Sequence, residues 1–133
     1  MGEKIAITID EKTFDGVLNG TETAQTVAGI LPVETEPSFW GEEIYFGIPV
    51  EIDQNEEPEE AVEVGDLAYW PDGHSLCIFF GPTPNSEDED SSPRPASPVT
   101  VIGKLEADVT PLKDLDPWSV GEVRVEKGAQ ERV

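Results

Sequence analysis

The sequence predicts a mainly β protein: a compact, closed or nearly closed antiparallel β-barrel with one amphipathic helix and a short helical turn. Three observations carry this. Apolar residues recur at every second position in segment after segment, the signature of half-buried strands. The segments are joined by Gly, Pro, Asn and Asp punctuation rather than by crossover helices, which favours antiparallel pairing. Leu76-Cys77-Ile78-Phe79-Phe80 is apolar on both faces, so this strand needs a second layer, a helix or a folded-over loop, on its outer side.

The elements follow in order. Ile5, Ile7 and Ile9 alternate with Ala6, Thr8 and Asp10, a first strand. Phe14 to Leu18 pairs with it through a turn at Asp10–Thr13. Asn19-Gly20-Thr21-Glu22 reads as a helix start, with Asn19 as cap and Glu22 three residues on closing the box. Ala24, Val27, Ala28 and Leu31 then form one apolar stripe over about three turns, ended by Pro32. From Ser38 the period returns to two: Ile44, Phe46, Ile48 and Val50 share one face, Glu43, Tyr45 and Gly47 the other. Asp53 to Glu63, with six acidic residues, reads as a solvated connection. Val64–Trp70 and Leu76–Phe80 are strands joined by the turn Pro71-Asp72-Gly73, and Pro82 and Pro84 stop the second. Residues 85–98 read as an exposed, mobile, acidic and proline-rich loop pinned at its Pro95–Pro98 end. Val99–Leu105 alternates again, Leu112–Leu115 marks a helical turn, and Val123 and Val125 belong to a last strand. Residues 128–133 read as a frayed tail. The total is about seven or eight strands.

The length of 133 residues suits one domain, 1–133, with a core of its own. One cysteine excludes an internal disulfide and any Cys-rich metal centre, so no metal and no cofactor is expected. The N-terminus has no charged-then-apolar leader, and no apolar run approaches the ~18 residues of a membrane span. The expectation is a cytoplasmic protein without membrane contact. Asp and Glu number 29 against 8 Lys and Arg, a formal net charge of −21. From Thr13 to Pro93 there is no basic residue but 19 acidic ones. Nucleic acid is disfavoured as a partner, because phosphate contacts need a basic footprint. A disordered acidic tail would lack the ten aromatics present. An even spread of acid favours adaptation to molar salt over a patch for a basic partner.

Few residues offer chemistry. His74 lies in the turn and Cys77 inside a strand, so His74 reads as a turn residue touching solvent. Cys77 reads as a core thiol with a raised pKa rather than a nucleophile. Glu42-Glu43 beside Trp40 and Tyr45 admits acid/base chemistry, since a carboxyl against Trp has its pKa raised. The plainer reading is a solvated Glu42 in a bulge at Gly41 with Trp40 packed at the barrel rim. No Gly-rich phosphate loop, G-x-S-x-G or His-x-x-x-His occurs.

Phe39-Trp40-Gly41-Glu42-Glu43-Ile44-Tyr45-Phe46 with Pro49-Val50, Val64-Gly65-Asp66-Leu67-Ala68-Tyr69-Trp70-Pro71, Cys77-Ile78-Phe79-Phe80-Gly81-Pro82-Thr83-Pro84, and Ala96-Ser97-Pro98-Val99 to Ile102-Gly103-Lys104 together resemble the small prokaryotic cyclophilin-like family. The resemblance covers nearly the whole chain and implies a cyclophilin-type barrel with short helices at its ends. It implies no settled activity. True cyclophilins isomerise X-Pro bonds with an Arg beside a pocket of Phe, Met, Gln, Trp and His. Here the arginines are Arg94, Arg124 and Arg132, the Arg-x-x-x-x-Phe-Met-x-Gln pattern is absent, and Met1 is the one methionine. The expectation is a monomer or weak homodimer that binds an unknown small molecule or peptide in an aromatic-lined groove of Trp40, Glu43, Tyr45, Tyr69, Trp70, His74, Phe79 and Thr83. Aromatic walls with a few polar groups suit such a site. The alternative is a peptidyl-prolyl isomerase with a non-standard site, using Arg94 or His74 as donor.

Overall fold

The computed structural model of the protein describes residues 3–52, 58–86, 93–106, 108–116 and 120–128. Its strands are β1 (Lys4–Ile9), β2 (Lys12–Leu18), β3 (Val33–Thr35), β4 (Ser38–Phe39), β5 (Glu43–Gly47), β6 (Asp66–Trp70), β7 (Ser75–Phe79), β8 (Thr100–Leu105) and β9 (Val123–Lys127), with one α-helix, α1 (Glu22–Ala28), after β2. The nine strands among the described residues form a single antiparallel sheet in the order β3-β9-β1-β2-β8-β6-β7-β5-β4. The two edge strands, β3 and β4, are separated in sequence by Glu36 and Pro37 alone. Three Cα steps span at most about 11 Å, so the sheet must curl until its ends meet. That makes the predicted barrel nearly closed.

Alternation sets the inside. Ile5, Ile7 and Ile9 of β1, Phe14 and Leu18 of β2, Ile44 and Phe46 of β5, Leu67 and Tyr69 of β6, Leu76 and Ile78 of β7, Ile102 of β8, and Val123 and Val125 of β9 form one buried core. α1 lays Ala24 and Val27 on it beside β2 and β8. A register shift between Leu67 and Ala68 pairs Leu67 with Gly103 but Ala68 with Val101. This bulge lets Ile102 face inward as an extra residue while Val101 stays outside.

Several local expectations change. The first hairpin turns on Asp10 and Glu11, both at positive φ (48° and 72°), so β2 begins at Lys12, two residues before Phe14. The helix cap is Thr21 rather than Asn19: Thr21 Oγ1 accepts from the Ala24 N–H at 3.1 Å. Asn19 is used otherwise, since its Oδ1 accepts from Thr21 N–H and its Nδ2 donates to the Val101 carbonyl at 2.8 Å. The helix has seven residues, two turns rather than three; beyond it the Ile30 and Leu31 N–H groups bond to the Val27 and Ala28 carbonyls, three residues back, in place of the helical i→i−4 pattern. β3 was not expected, as only Val33 of its three residues is buried. Pro71–Gly73 is one 3-10 turn, and Thr110–Asp114 another where Leu112–Leu115 was expected.

The outer face of β6 and β7 carries a second, smaller apolar cluster of Val62, Ala68, Cys77, Phe79 and Val99. Two segments fold over it, which is the second layer that the doubly apolar strand requires. Of the connection 53–63, residues 53–57 lie outside the described residues; farther on, Glu59 pairs with Val99 and Val62 is buried. Of the loop 85–98, residues 87–92 lie outside the described residues. Residues 93–98 cross the outer face with Pro93 and Pro95 buried. Of the tail, 129–133 lie outside the described residues, while Gly128 still donates to the Lys4 carbonyl.

Candidate functional site

The site is built on the outer face of β5, β7 and β6. Register places Glu43 opposite Phe79, Tyr45 opposite Cys77, and Ala68 opposite Cys77. Period two then keeps Glu43 and Tyr45 on the side of Cys77, Phe79, Ala68 and Trp70. Glu43 therefore enters the apolar outer cluster, where it is only 4% exposed. Burial pushes its carboxyl pKa up to about 7, opposed by a hydrogen bond from the Cys77 thiol. Glu43 Oε1 has no hydrogen-bond partner. Burial and the neighbouring Glu43 together raise the Cys77 pKa well above that of an ordinary thiol, so Cys77 is a donor and not a nucleophile. The neighbouring Glu42 lies half-buried at the surface, 3.7 Å from Lys113 Nζ.

Gly41 makes the parity of the two glutamates possible. Its φ of +61° turns the chain between β4 and β5, and a Cβ there would stand 2.7 Å from Pro84 Cδ. The Trp40 N–H donates to the Glu43 carbonyl at 2.9 Å across this turn, which brings the Trp40 ring beside Glu43. Tyr45 and Trp70 meet edge to face, with centroids 6.0 Å apart and planes at 84°, a favourable aromatic geometry.

The opposite wall is the strap 93–98. Val62 N–H donates to the Pro93 carbonyl at 3.0 Å. Thr83 Oγ1 donates to the Arg94 carbonyl and accepts from its N–H, while Asn85 Nδ2 donates to the Pro95 carbonyl at 3.2 Å. Trp70 Nε1 donates to Ser97 Oγ at 2.6 Å, and Ser97 in turn donates to Asp72 Oδ2 at 2.7 Å. So held, Pro95 and Ala96 close with Trp40, Glu43, Tyr45 and Trp70 around a cavity of about 150 Å³.

Four of the eight residues expected in the groove line this cavity: Trp40, Glu43, Tyr45 and Trp70. Tyr69 points to the other face of β6 from Trp70, fully buried in the main core, where its hydroxyl donates to the Val50 carbonyl at 2.7 Å. Phe79 is buried in the outer cluster. Thr83 is buried as an anchor of the strap. His74 ends the 3-10 turn in left-handed geometry, φ 46° and ψ 44°, outside the cavity lining. Sequence reasoning missed Pro95 and Ala96 as walls and Ser97 and Asp72 as the relay behind Trp70; the pinned Pro95–Pro98 end of the loop was the available signal. Among the described residues no cluster of three His, Cys, Asp or Glu could hold a metal ion. No helix among them is long and apolar enough to cross a membrane.

Comparison with known proteins follows the same lines. A family model described as cyclophilin-like matches residues 3–126. The solution structure of the hypothetical protein AF2241 from Archaeoglobus fulgidus is 34% identical, covers 96% of this chain and 95% of its own, and superposes with a TM-score of 0.77. The structure of McbB in complex with tryptophan is 16% identical with a TM-score of 0.68. The match covers 97% of this chain and 46% of McbB, a likeness of fold. Among curated proteins there is no significant match.

Proposed function

The chain belongs to the cyclophilin-like family, and from that premise we propose that it is a small-molecule-binding barrel whose site is the outer-face cavity between β5, β6 and the strap. The observation that carries this reading is Glu43, which lines a cavity otherwise walled, among the described residues, by rings, Pro95 and Ala96 and whose buried Oε1 has no hydrogen-bond partner. A buried polar atom left unpaired costs about 1–3 kcal/mol, a cost that a bound donor or a bound cation would offset. A cavity near 150 Å³ matches the volume that holds a benzene-sized molecule, so the occupant is a small molecule or one side chain rather than a length of peptide. McbB, which shares this fold over 46% of its own length, is described in complex with tryptophan, which is compatible with this reading. The alternative of a prolyl isomerase has less behind it. Arg94 lines a neighbouring cleft with Glu60 and Asn85, and His74 lies in the turn after β6, so neither donor stands at the aromatic cavity.

Trp40 and Trp70 make the test direct. A library of small aromatic and amine fragments is titrated against intrinsic Trp fluorescence and ligand-detected NMR. The expected result is saturable binding by a subset of fragments, lost in Trp70→Ala. A library without a single saturable binder would overturn the reading.

A further inference from the structure

The cavity combines features whose joint chemistry is narrower than "small ligand". Glu43 is 96% buried, being 4% exposed, and Oε1 stands unpartnered. Among the described residues only burial and the Cys77 thiol act on its ionisation, and no basic side chain offsets its charge. Around it stand Trp40, Tyr45 and Trp70, the last two with ring planes nearly perpendicular at 84°. Aromatic faces attract cations through their quadrupoles, most strongly when water is excluded. Each feature narrows the ligand. An anionic group would meet Glu43 and an overall charge of −21, both repulsive. A guanidinium or primary ammonium brings several N–H donors that all need acceptors, and among the described residues Glu43 is the one carboxylate in the lining. A cation sheathed in methyl groups needs none, and its charge is met by one carboxylate and by ring faces. A quaternary ammonium head of five heavy atoms also fits a space that holds a benzene-sized molecule.

We propose that the cavity binds an alkylated ammonium group, tertiary or quaternary, with Glu43 as its counter-charge and Trp40, Tyr45 and Trp70 as its walls. This rests on the reading of the cavity as a ligand site. The diffuse acidic surface concentrates such cations around the protein, and the fixed strap keeps the walls in place before the ligand arrives.

The test compares choline and tetramethylammonium with 3,3-dimethylbutan-1-ol, the neutral shape-match of choline, and with indole. Binding to the full chain is followed by Trp fluorescence at pH 8 and constant ionic strength set with NaCl. Saturable binding of choline and tetramethylammonium, about tenfold or more tighter than that of the neutral alcohol, is expected. Glu43→Gln is expected to erase most of that preference while still binding indole. Equal binding of choline and the alcohol, or a choline effect reproduced by NaCl, would overturn the cation assignment. Indole binding in that case leaves the cavity as a site for neutral ligands. If none of the four probes binds, the cation assignment falls on the wild-type protein without reliance on any variant, and the fragment library then decides the ligand-site reading separately.

Discussion

The Cys77 thiol on β7 donates a hydrogen bond to the Glu43 carboxyl on β5; the bond counters part of the rise that burial imposes on the Glu43 pKa, while Glu43 pushes the pKa of the thiol up. The relationship joins the sequence's single cysteine to the buried carboxylate of the cavity. It also fixes how the protein responds to pH.

Glu43 holds its proton up to about pH 7 in the folded protein, against 4.5 when unperturbed. The native state therefore binds more protons than the unfolded state between these values. Stability falls as pH rises through that window and levels off above it, by up to about 3 kcal/mol. Asp66, raised by burial, adds to the slope with the same sign. Thermal melts from pH 4.5 to 8 are expected to show a flatter dependence in Glu43→Gln than in the wild type. Parallel curves would refute the assignment.

The strap depends on Ser97, which accepts from Trp70 and donates to Asp72. Ser97→Ala leaves the indole N–H and the carboxylate without this bridge and is expected to cost about 1–2 kcal/mol in urea unfolding. Because Trp70 is a cavity wall, its emission is expected to shift to the red in the same variant. Unchanged emission and midpoint would show that the relay does not hold the strap.

Two glycines separate packing from propensity. A Cβ at Gly103 would meet the Val17 carbonyl oxygen inside van der Waals contact and Leu18 Cα at 3.0 Å, both backbone of the paired strand β2. At Gly47, at the end of β5, a Cβ would meet nothing within 4 Å. Gly103→Ala is expected to lose about 1–3 kcal/mol, and Gly47→Ala to stay within about 0.5 kcal/mol of wild type. Chemical denaturation of the two variants checks both.

The net charge of −21 sets the response to salt. The ion pairs among the described residues use Lys104, Lys113, Arg124 and Lys127, which leaves most carboxylates repelling one another. Screening reduces that repulsion, so the unfolding temperature is expected to rise steeply from low salt to molar KCl. A flat curve would contradict it.

The strands were legible because one barrel face is buried, so alternation had to be written into β1, β5 and β7. β3 was not, since three residues with one buried valine carry no period. The helix start was legible but its cap was not: the cap read at Asn19 belongs to Thr21, because the end of β2 leaves Asn19 within reach of Val101 on β8. The cavity was half legible. Alternation brings Glu43, Tyr45 and Trp70 to one face, and the same parity sends Tyr69 to the other, so the two neighbours could not share a groove. Pro95 and Ala96 escaped because a wall made of proline and alanine has no periodic signature; its position comes from hydrogen bonds made by Thr83, Asn85 and Trp70, far away in sequence.

The neighbour order of the sheet has a consequence for how the chain comes together. β9 is inserted between β3 and β1, with Val125 opposite both Val33 and Ile7. A chain emerging from the ribosome completes β1, β2 and β3 long before β9 exists, and must hold two open strand edges until it does. Such non-local closure is slow, and exposed edges invite pairing with other chains. The segment around residues 123–127 is thus the keystone laid last, and clipping it away would convert the folded chain into a template for aggregation.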